Sequence, residues 1–192
     1  GCYGLFGVVS EVTLRLSPRR KLIRKVEVVD LDDVPTRVEE RIREGYLYGD
    51  YQFKTDERAD DFLQRGVFSI YKPVGDEVPE SESKKRLSVE DWSALYKIAH
   101  TDKSRVYDLY TQYYLSTNDQ IYWTDTHQLS VYQPGHDAVI DQLLGARAPG
   151  SLMICEYYVS RPKLPEFLKR MGAALIETEA NLIYGTVRFI DK

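Results

Sequence analysis

The sequence has little cysteine, little histidine and no large excess of charge of either sign. Its 192 residues include two cysteines, Cys2 and Cys155, and three histidines. Two cysteines so far apart make neither a zinc ligand set nor a disulfide framework, so we expect a reducing, cytoplasmic setting and no metal. The net charge of −4 lacks the strong basic field of a nucleic-acid binder, so we expect no nucleic-acid partner.

Long apolar runs are missing as well. No segment approaches the roughly 20 apolar residues of a membrane helix, and the first nine residues lack the basic start of a signal peptide. The chain is nevertheless 43% hydrophobic and 12% aromatic, with 15 tyrosines. Because disordered segments are depleted in aromatic residues, this composition excludes disorder for most of the chain and predicts a packed core.

The apolar pattern predicts an α+β fold. Alternation with a period of two predicts strands over 8–16, 22–31, 46–54, 67–72, 120–133, 152–159 and 182–190. Apolar residues three and four apart predict helices over 33–44, 89–115, 136–144 and 164–179. A strand–helix–strand unit thus lies near each end of the main body. We expect a mostly antiparallel sheet with helices packed on one side, leaving the other face free to cover a ligand.

The last predicted strand has one apolar face and one polar face. Alternation places Tyr184, Thr186 and Arg188 together, opposite Val187 and Phe189. An arginine on a sheet face is either solvated or salt-bridged, or it holds an oxyanion or a hydroxyl beside a reacting centre. The residues alone leave both interpretations open.

Three further polar residues are candidates for a site. Glu156 lies between Ile154 and Tyr158 on one face of its predicted strand, and we place it opposite Arg188 on a neighbouring strand. That arrangement is either a plain cross-strand ion pair or a functional pair. His127 and Gln128 either line a pocket or lie in a solvated loop. The sequence contains no zinc spacing, nucleophile elbow or phosphate-binding loop.

Three segments carry a more specific signal. Gly4–Leu16, with the sequence GLFGVVSEVTLRL, resembles the strand that closes the FAD-binding domain in FAD-linked oxidoreductases of the vanillyl-alcohol oxidase superfamily. Cys155–Pro162 resembles the Glu-Tyr-x-Val-Pro-Arg segment of the family's substrate domain. Tyr184–Arg188 resembles the strand that presents a Glu-x-Arg pair to the substrate in the alditol and aldonolactone oxidases.

The resemblance implies a role for main-chain groups near the start of the chain. In the family, the glycine turn brings backbone against the flavin, so Gly7, Val8 and Val9 are the implied FAD contacts. Two positions depart from the family pattern. Ser160 replaces the usual proline, and Thr186 stands where the alditol and aldonolactone oxidases carry glutamate.

The resemblance also implies a domain organisation. Residues 1–20 would be the tail of the FAD-binding domain, and residues 21–192 a substrate-binding (cap) domain truncated at its C-terminus. The chain would then be an inactive fragment without bound FAD, whose partners are a small-molecule substrate and the missing FAD-binding domain. The sheet face left uncovered offers a surface for self-association.

The implied parent protein is an enzyme that oxidises or reduces a small alcohol, sugar or related substrate at FAD. Arg188 would hold negative charge developing on the substrate oxygen, and Glu156 would orient Arg188 or accept a proton. The substrate would be bound by Tyr184, Thr186, His127 and Gln128. The alternative from another class is a non-catalytic ligand-binding or interaction domain with the same α+β fold.

Overall fold

The computed structural model of the protein describes residues 5–82, 85–124, 136–150 and 152–190. Within them, five strands form one sheet in the order β4-β1-β3-β2-β5, and every neighbouring pair is antiparallel. In chain order the elements are β1 (Lys21–Asp30), α1 (Val34–Arg43), β2 (Tyr48–Phe53), β3 (Arg65–Val74), α2 (Val89–Thr101), α3 (Lys103–Ser116), β4 (Ile121–Trp123), α4 (His136–Leu144), α5 (Leu164–Glu177) and β5 (Val187–Arg188). The predicted α+β class with an antiparallel sheet is confirmed.

The first helix shows how local sequence sets an element. Val34 and Val38 lie one turn apart on α1, and both are buried against the sheet. Proline stands in the first turn, where a missing N–H costs nothing. Gly45, with φ of +87°, follows the end of the helix, a conformation that glycine adopts without a Cβ clash. The helix predicted over 33–44 is therefore confirmed.

One face of the sheet, here called the apolar face, holds the larger core. Its centre comprises Val29, Tyr51, Phe68 and Ile70 from the three central strands. Helices α1 and α5 cover this face with side chains that include Leu168, which is 2% exposed. Burying each such side chain stabilises the fold by about 1.5–3 kcal/mol.

The opposite face, here called the polar face, is covered by α3. Tyr110, Tyr113 and Tyr114 of that helix pack on Val26 and Val67, whose neighbours in sequence point to the apolar face. The prediction that helices pack on one side only is therefore wrong. The tyrosine stripe explains the difference, because its rings cover apolar residues while its hydroxyls can meet polar ones.

The helix predicted over 89–115 is two helices. Asp102 separates α2 from α3 with φ of −154° and ψ of 77°, which lies outside the helical region. Its carboxylate accepts a hydrogen bond from the Arg105 backbone N–H at 3.4 Å and so caps α3.

Two predicted strands do not form. Residues 7–20 and 152–160 have no regular secondary structure, and apolar residues in both stand exposed, Val8 at 95% and Ile154 at 89%. The strand predicted over 182–190 pairs only at Val187–Arg188. Alternation produces a candidate strand, but a strand also needs a partner backbone, and no described strand pairs with these segments.

Other predictions agree to different degrees. The strands predicted over 22–31, 46–54 and 67–72 are β1, β2 and β3, and the last two predicted helices are α4 and α5. Of the extended stretch predicted over 120–133, residues 121–123 form β4, and 125–135 lie outside the described residues. Among the described helices, none combines the length and the apolar character that crossing a membrane requires.

Candidate functional site

The polar face carries a cluster of polar side chains whose positions follow from strand register. Asp50 in β2 lies opposite Ser69 in β3 on one side and Arg188 in β5 on the other. One row away, Arg24 in β1 lies opposite Tyr71 in β3. Since directly paired residues share a face, the antiparallel ladder brings these five groups together from four strands.

Arg24 is a fixed cation behind the cluster. It is 5% exposed, and its guanidinium donates to the Tyr71 hydroxyl from Nε at 3.1 Å and Nη2 at 2.7 Å, and to Thr117 Oγ1 from Nη1 at 2.8 Å. The rings of Tyr71 and Tyr114 lie 5.2 and 5.0 Å from its guanidinium carbon. Burial opposes the charge, but the neighbouring tyrosines more than offset it, so the pKa of Arg24 is raised.

Asp50 is the titratable group at the centre. Burial raises its pKa to about 6, and the charge of Arg24, a hydrogen bond from Gln52 and the charge of Arg188 partly oppose that rise. Gln52 Nε2 donates to Asp50 Oδ2 at 2.7 Å and lies 3.3 Å from the Tyr114 hydroxyl. This contact fixes the plane of the carboxyl group, so its second oxygen has a defined direction.

The cluster contains more acceptor capacity than the described residues use. Asp50 Oδ1, Gln52 Oε1 and Ser69 Oγ are buried and have no hydrogen-bond partner among those residues. Buried polar atoms in folded proteins are nearly always satisfied, and a group of three on neighbouring strands is unusual. Such a surface is suited to binding a polar ligand.

Tyrosine rings surround the carboxyl group of Asp50. Tyr110 and Tyr114 of α3 lie with ring centroids 4.3 Å apart, and the charge of Asp50 acts on Tyr110. Tyr184 lies near Asp50, Tyr114 and Arg188, and its side chain is 58% exposed. The site is therefore walled by α3 on one side and opens at the β5 edge of the sheet.

The predicted residues of the last strand lie in this cluster. Arg188 is exposed on β5, opposite Asp50, and its side chain makes no hydrogen bond or ion pair with another described residue. Tyr184 lies near Arg188, and Thr186 is half-buried between them in sequence. Sequence alternation thus grouped these three residues correctly, while their roles stay predictions.

The predicted partner of Arg188 is wrong. Glu156 lies in an exposed segment without strand structure, and among the described residues no ion pair joins it to Arg188. The carboxyl group that lies opposite Arg188 belongs to Asp50. The sequence contained a signal for this residue, since Asp50 and Gln52 alternate with Tyr51 and Phe53 in a strand that has one polar face.

The implied flavin contacts lie on an exposed segment without regular secondary structure. Gly7, Val8 and Val9 are exposed, and their backbone groups make no hydrogen bond within the described residues. A Cβ added at Gly7 would meet nothing within 4 Å. The three residues offer main-chain donors and acceptors to a ligand, but they do not form a flavin cradle by themselves. The predicted substrate contacts His127 and Gln128 lie outside the described residues.

One other concave region is strongly charged. A shallow pocket of about 280 Å³ is lined by Asp30, Leu31, Asp32, Asp60, Asp61 and Gln64. Two of its carboxylates already bind cations, because Lys169 donates to Asp32 at 2.7 Å and Lys54 to Asp61 at 2.7 Å. Within the described ranges no group of three or more histidine, cysteine and acidic residues is arranged to hold a metal ion.

Comparison of the chain with models of known protein families, with curated proteins and with solved structures finds no match.

Proposed function

We propose that the chain is the substrate-binding part of a flavin-dependent oxidoreductase that acts on a small alcohol, sugar or related substrate. The observation that carries the proposal is the pairing of exposed Arg188 with half-buried Asp50, whose Oδ1 atom is buried, on the polar face. The resemblance of the segments around Gly7 and Tyr184 to FAD-linked oxidoreductases supports the choice of cofactor.

In this proposal, Arg188 binds the oxygen of the substrate. Its guanidinium is free of partners within the described residues and can donate two hydrogen bonds in a fixed geometry. Such donors stabilise negative charge that develops on an oxygen during reaction. Tyr184 and Thr186 flank the oxygen, and the ring of Tyr184 shields it from water.

The cofactor would supply the electron acceptor or donor when bound. Gly7, Val8 and Val9 can contribute main-chain hydrogen bonds to one edge of it. Because these residues form no cradle within the described part of the chain, the proposal assigns the remaining flavin-binding surface to other residues of the protein.

The visible absorption spectrum of the protein, purified at its full natural length, is the first test. We expect a flavin band that bleaches when a candidate alcohol or sugar is added without oxygen. A colourless folded protein that cannot be reconstituted with FAD would contradict the enzyme and favour a non-catalytic ligand-binding domain.

Substitution of Arg188 tests the site itself. We expect Arg188→Ala to lower kcat/KM for the bleaching substrate by about 100-fold or more, because one donor to a developing oxyanion is lost. Arg170→Ala removes an exposed arginine of α5 outside the site and serves as the matched control. Wild-type kcat/KM for Arg188→Ala would overturn the assignment.

A further inference from the structure

We propose that Asp50 and Arg188 together bind one hydroxyl group of the substrate, with Asp50 Oδ1 accepting its hydrogen and Arg188 donating to its oxygen. This inference rests on the proposed function for the use of the polar face, and it adds the chemical group that the site recognises and a contact residue, Asp50.

The two side chains are positioned for a shared ligand atom. They lie opposite one another on β2 and β5, yet they make no direct ion pair. Within the described residues, Asp50 Oδ1 accepts no hydrogen bond and the guanidinium of Arg188 donates none. Both groups can therefore bind a ligand. Gln52 Nε2 donates to the other carboxyl oxygen at 2.7 Å, which favours this orientation of the carboxyl group.

A hydroxyl is the group that matches both functions. It donates one hydrogen and accepts through its lone pairs, so it can satisfy Asp50 and Arg188 together. A carboxylate would accept from Arg188 but would bring a second negative charge beside Asp50. An ammonium would donate to Asp50 but would bring its charge beside the two cations Arg24 and Arg188, whose charges both act on Asp50.

The groups that face Asp50 come from every element packed around it. They are Arg24 of β1, Ser69 of β3, Arg188 of β5, Tyr110 and Tyr114 of α3, and Tyr184. The charged members are two cations and Asp50 itself. The ionised form of Asp50, present above pH about 6, is the form that can only accept a hydrogen bond, so hydroxyl binding is expected to weaken below that pH.

Access to Asp50 Oδ1 requires a side chain to move. The atom is buried, whereas the neighbouring Tyr184 is 58% exposed and stands at the open edge of the sheet. Exposed side chains change rotamer on the picosecond to nanosecond time scale, so Tyr184 can turn aside when a ligand enters at the open edge.

Three small probes with one polar group each separate the possible ligands. 1-Propanol, propionate and propylammonium are titrated at pH 7.5 while NMR follows the ¹³C resonance of the Asp50 carboxyl group. We expect 1-propanol to shift this resonance and to lower the pKa of Asp50, because the new hydrogen bond favours the ionised carboxylate. We expect weaker responses from propionate and propylammonium. An equal or larger response to either of them would overturn the proposal.

Variants identify the residues responsible. Binding to the variants is followed through the backbone amide resonances of β2 and β5, because Asp50→Asn has no carboxyl group at that position. Asp50→Asn and Arg188→Ala should each weaken 1-propanol binding about tenfold, while Asp108→Asn, an exposed position of α3, should bind as the wild type does. The pKa of Asp50 in the wild-type protein, measured with and without 1-propanol, needs no variant. It therefore tests the proposal even where a substituted protein does not fold. Unchanged binding by Asp50→Asn, or an unchanged Asp50 pKa, would contradict the assignment.

The outcomes also separate this inference from the proposed function. If the protein is a flavoprotein that requires Arg188 for turnover but the Asp50 resonance does not respond to 1-propanol, the proposed function stands and hydroxyl binding by Asp50 and Arg188 is contradicted. If the protein binds no flavin but the Asp50 resonance responds to 1-propanol, the proposed function is contradicted and hydroxyl binding by Asp50 and Arg188 stands.

Discussion

The two faces of the sheet are formed by the same strands but differ in what they bury. On the apolar face, Phe68 and Ile70 of β3 close a continuous core against α1 and α5. On the polar face, their sequence neighbour Ser69 is equally buried, but its hydroxyl has no hydrogen-bond partner among the described residues. The comparison indicates that the apolar face supplies stability, whereas the polar face gives up stability to hold polar groups out of water.

The largest change in the free energy of unfolding should come from truncating a side chain in the core of the apolar face. We expect Phe68→Ala to lower the free energy of unfolding by about 3–5 kcal/mol, because Phe68 is fully buried in the larger core and its ring centroid lies 5.7 Å from that of Phe189. Val67→Ala, at the adjacent buried position on the polar face, should lose roughly 2 kcal/mol. Urea unfolding measures both, and an equal loss would contradict the difference between the faces.

Replacing Asp50 on the polar face should raise the free energy of unfolding, whereas Phe68→Ala lowers it. Burial raises the pKa of Asp50 to about 6, above the ordinary carboxyl value of about 4. Between these values the folded protein holds a proton that the unfolded chain has lost, so the free energy of unfolding falls as pH rises and stays lower above pH 6. Asp50→Asn should remove this fall and increase stability at pH 7 by roughly 3 kcal/mol.

The measurement is the free energy of unfolding at several pH values from 4 to 7.5. Asp108→Asn, which replaces an exposed carboxyl group on α3, should follow the wild-type curve and is the control. Parallel curves for Asp50→Asn and the wild type would show that Asp50 does not carry the pH dependence. A variant that is more stable but binds 1-propanol more weakly would demonstrate that the site is maintained at the expense of stability.

The smallest change in the free energy of unfolding is expected for a substitution in the exposed segment that precedes β1. Val12 belongs to the segment with strand-like alternation but is 63% exposed, so Val12→Ser should change the free energy of unfolding by less than about 0.5 kcal/mol. Val26→Ser, at a position 8% exposed beneath α3, should lose about 2 kcal/mol or more. Thermal unfolding compares the two, and a loss above 1 kcal/mol for Val12→Ser would mean that this segment forms a paired strand.

Much of the fold was predictable because its signals are local. The stripe of Val34 and Val38 with Gly45 after it defined α1. Alternation identified the three long strands and grouped Tyr184 with Arg188. The same alternation also predicted strands over 8–16 and 152–159, which do not form, because a residue pattern shows which side chains share a face but not whether another backbone is available.

The candidate site was only half predictable for the same reason. Arg188 was found because its own strand has a polar face. Its neighbour Asp50 lies far away in sequence, and Glu156 lies in another segment whose residues alternate like those of a strand. Only the pairing of β2 with β5 decides between the two carboxyl groups.

The sequence by itself determined the α+β class, the position of most helices and strands, and the side of the last strand on which Arg188 lies. Those properties depend on residues within a few positions of one another, where helical and strand periodicities act. The tertiary structure decided that helices cover both faces, that Asp50 lies opposite Arg188, and that the carboxyl group of Asp50 is buried. Strand register and burial are set by contacts between distant segments, and no local pattern contains them.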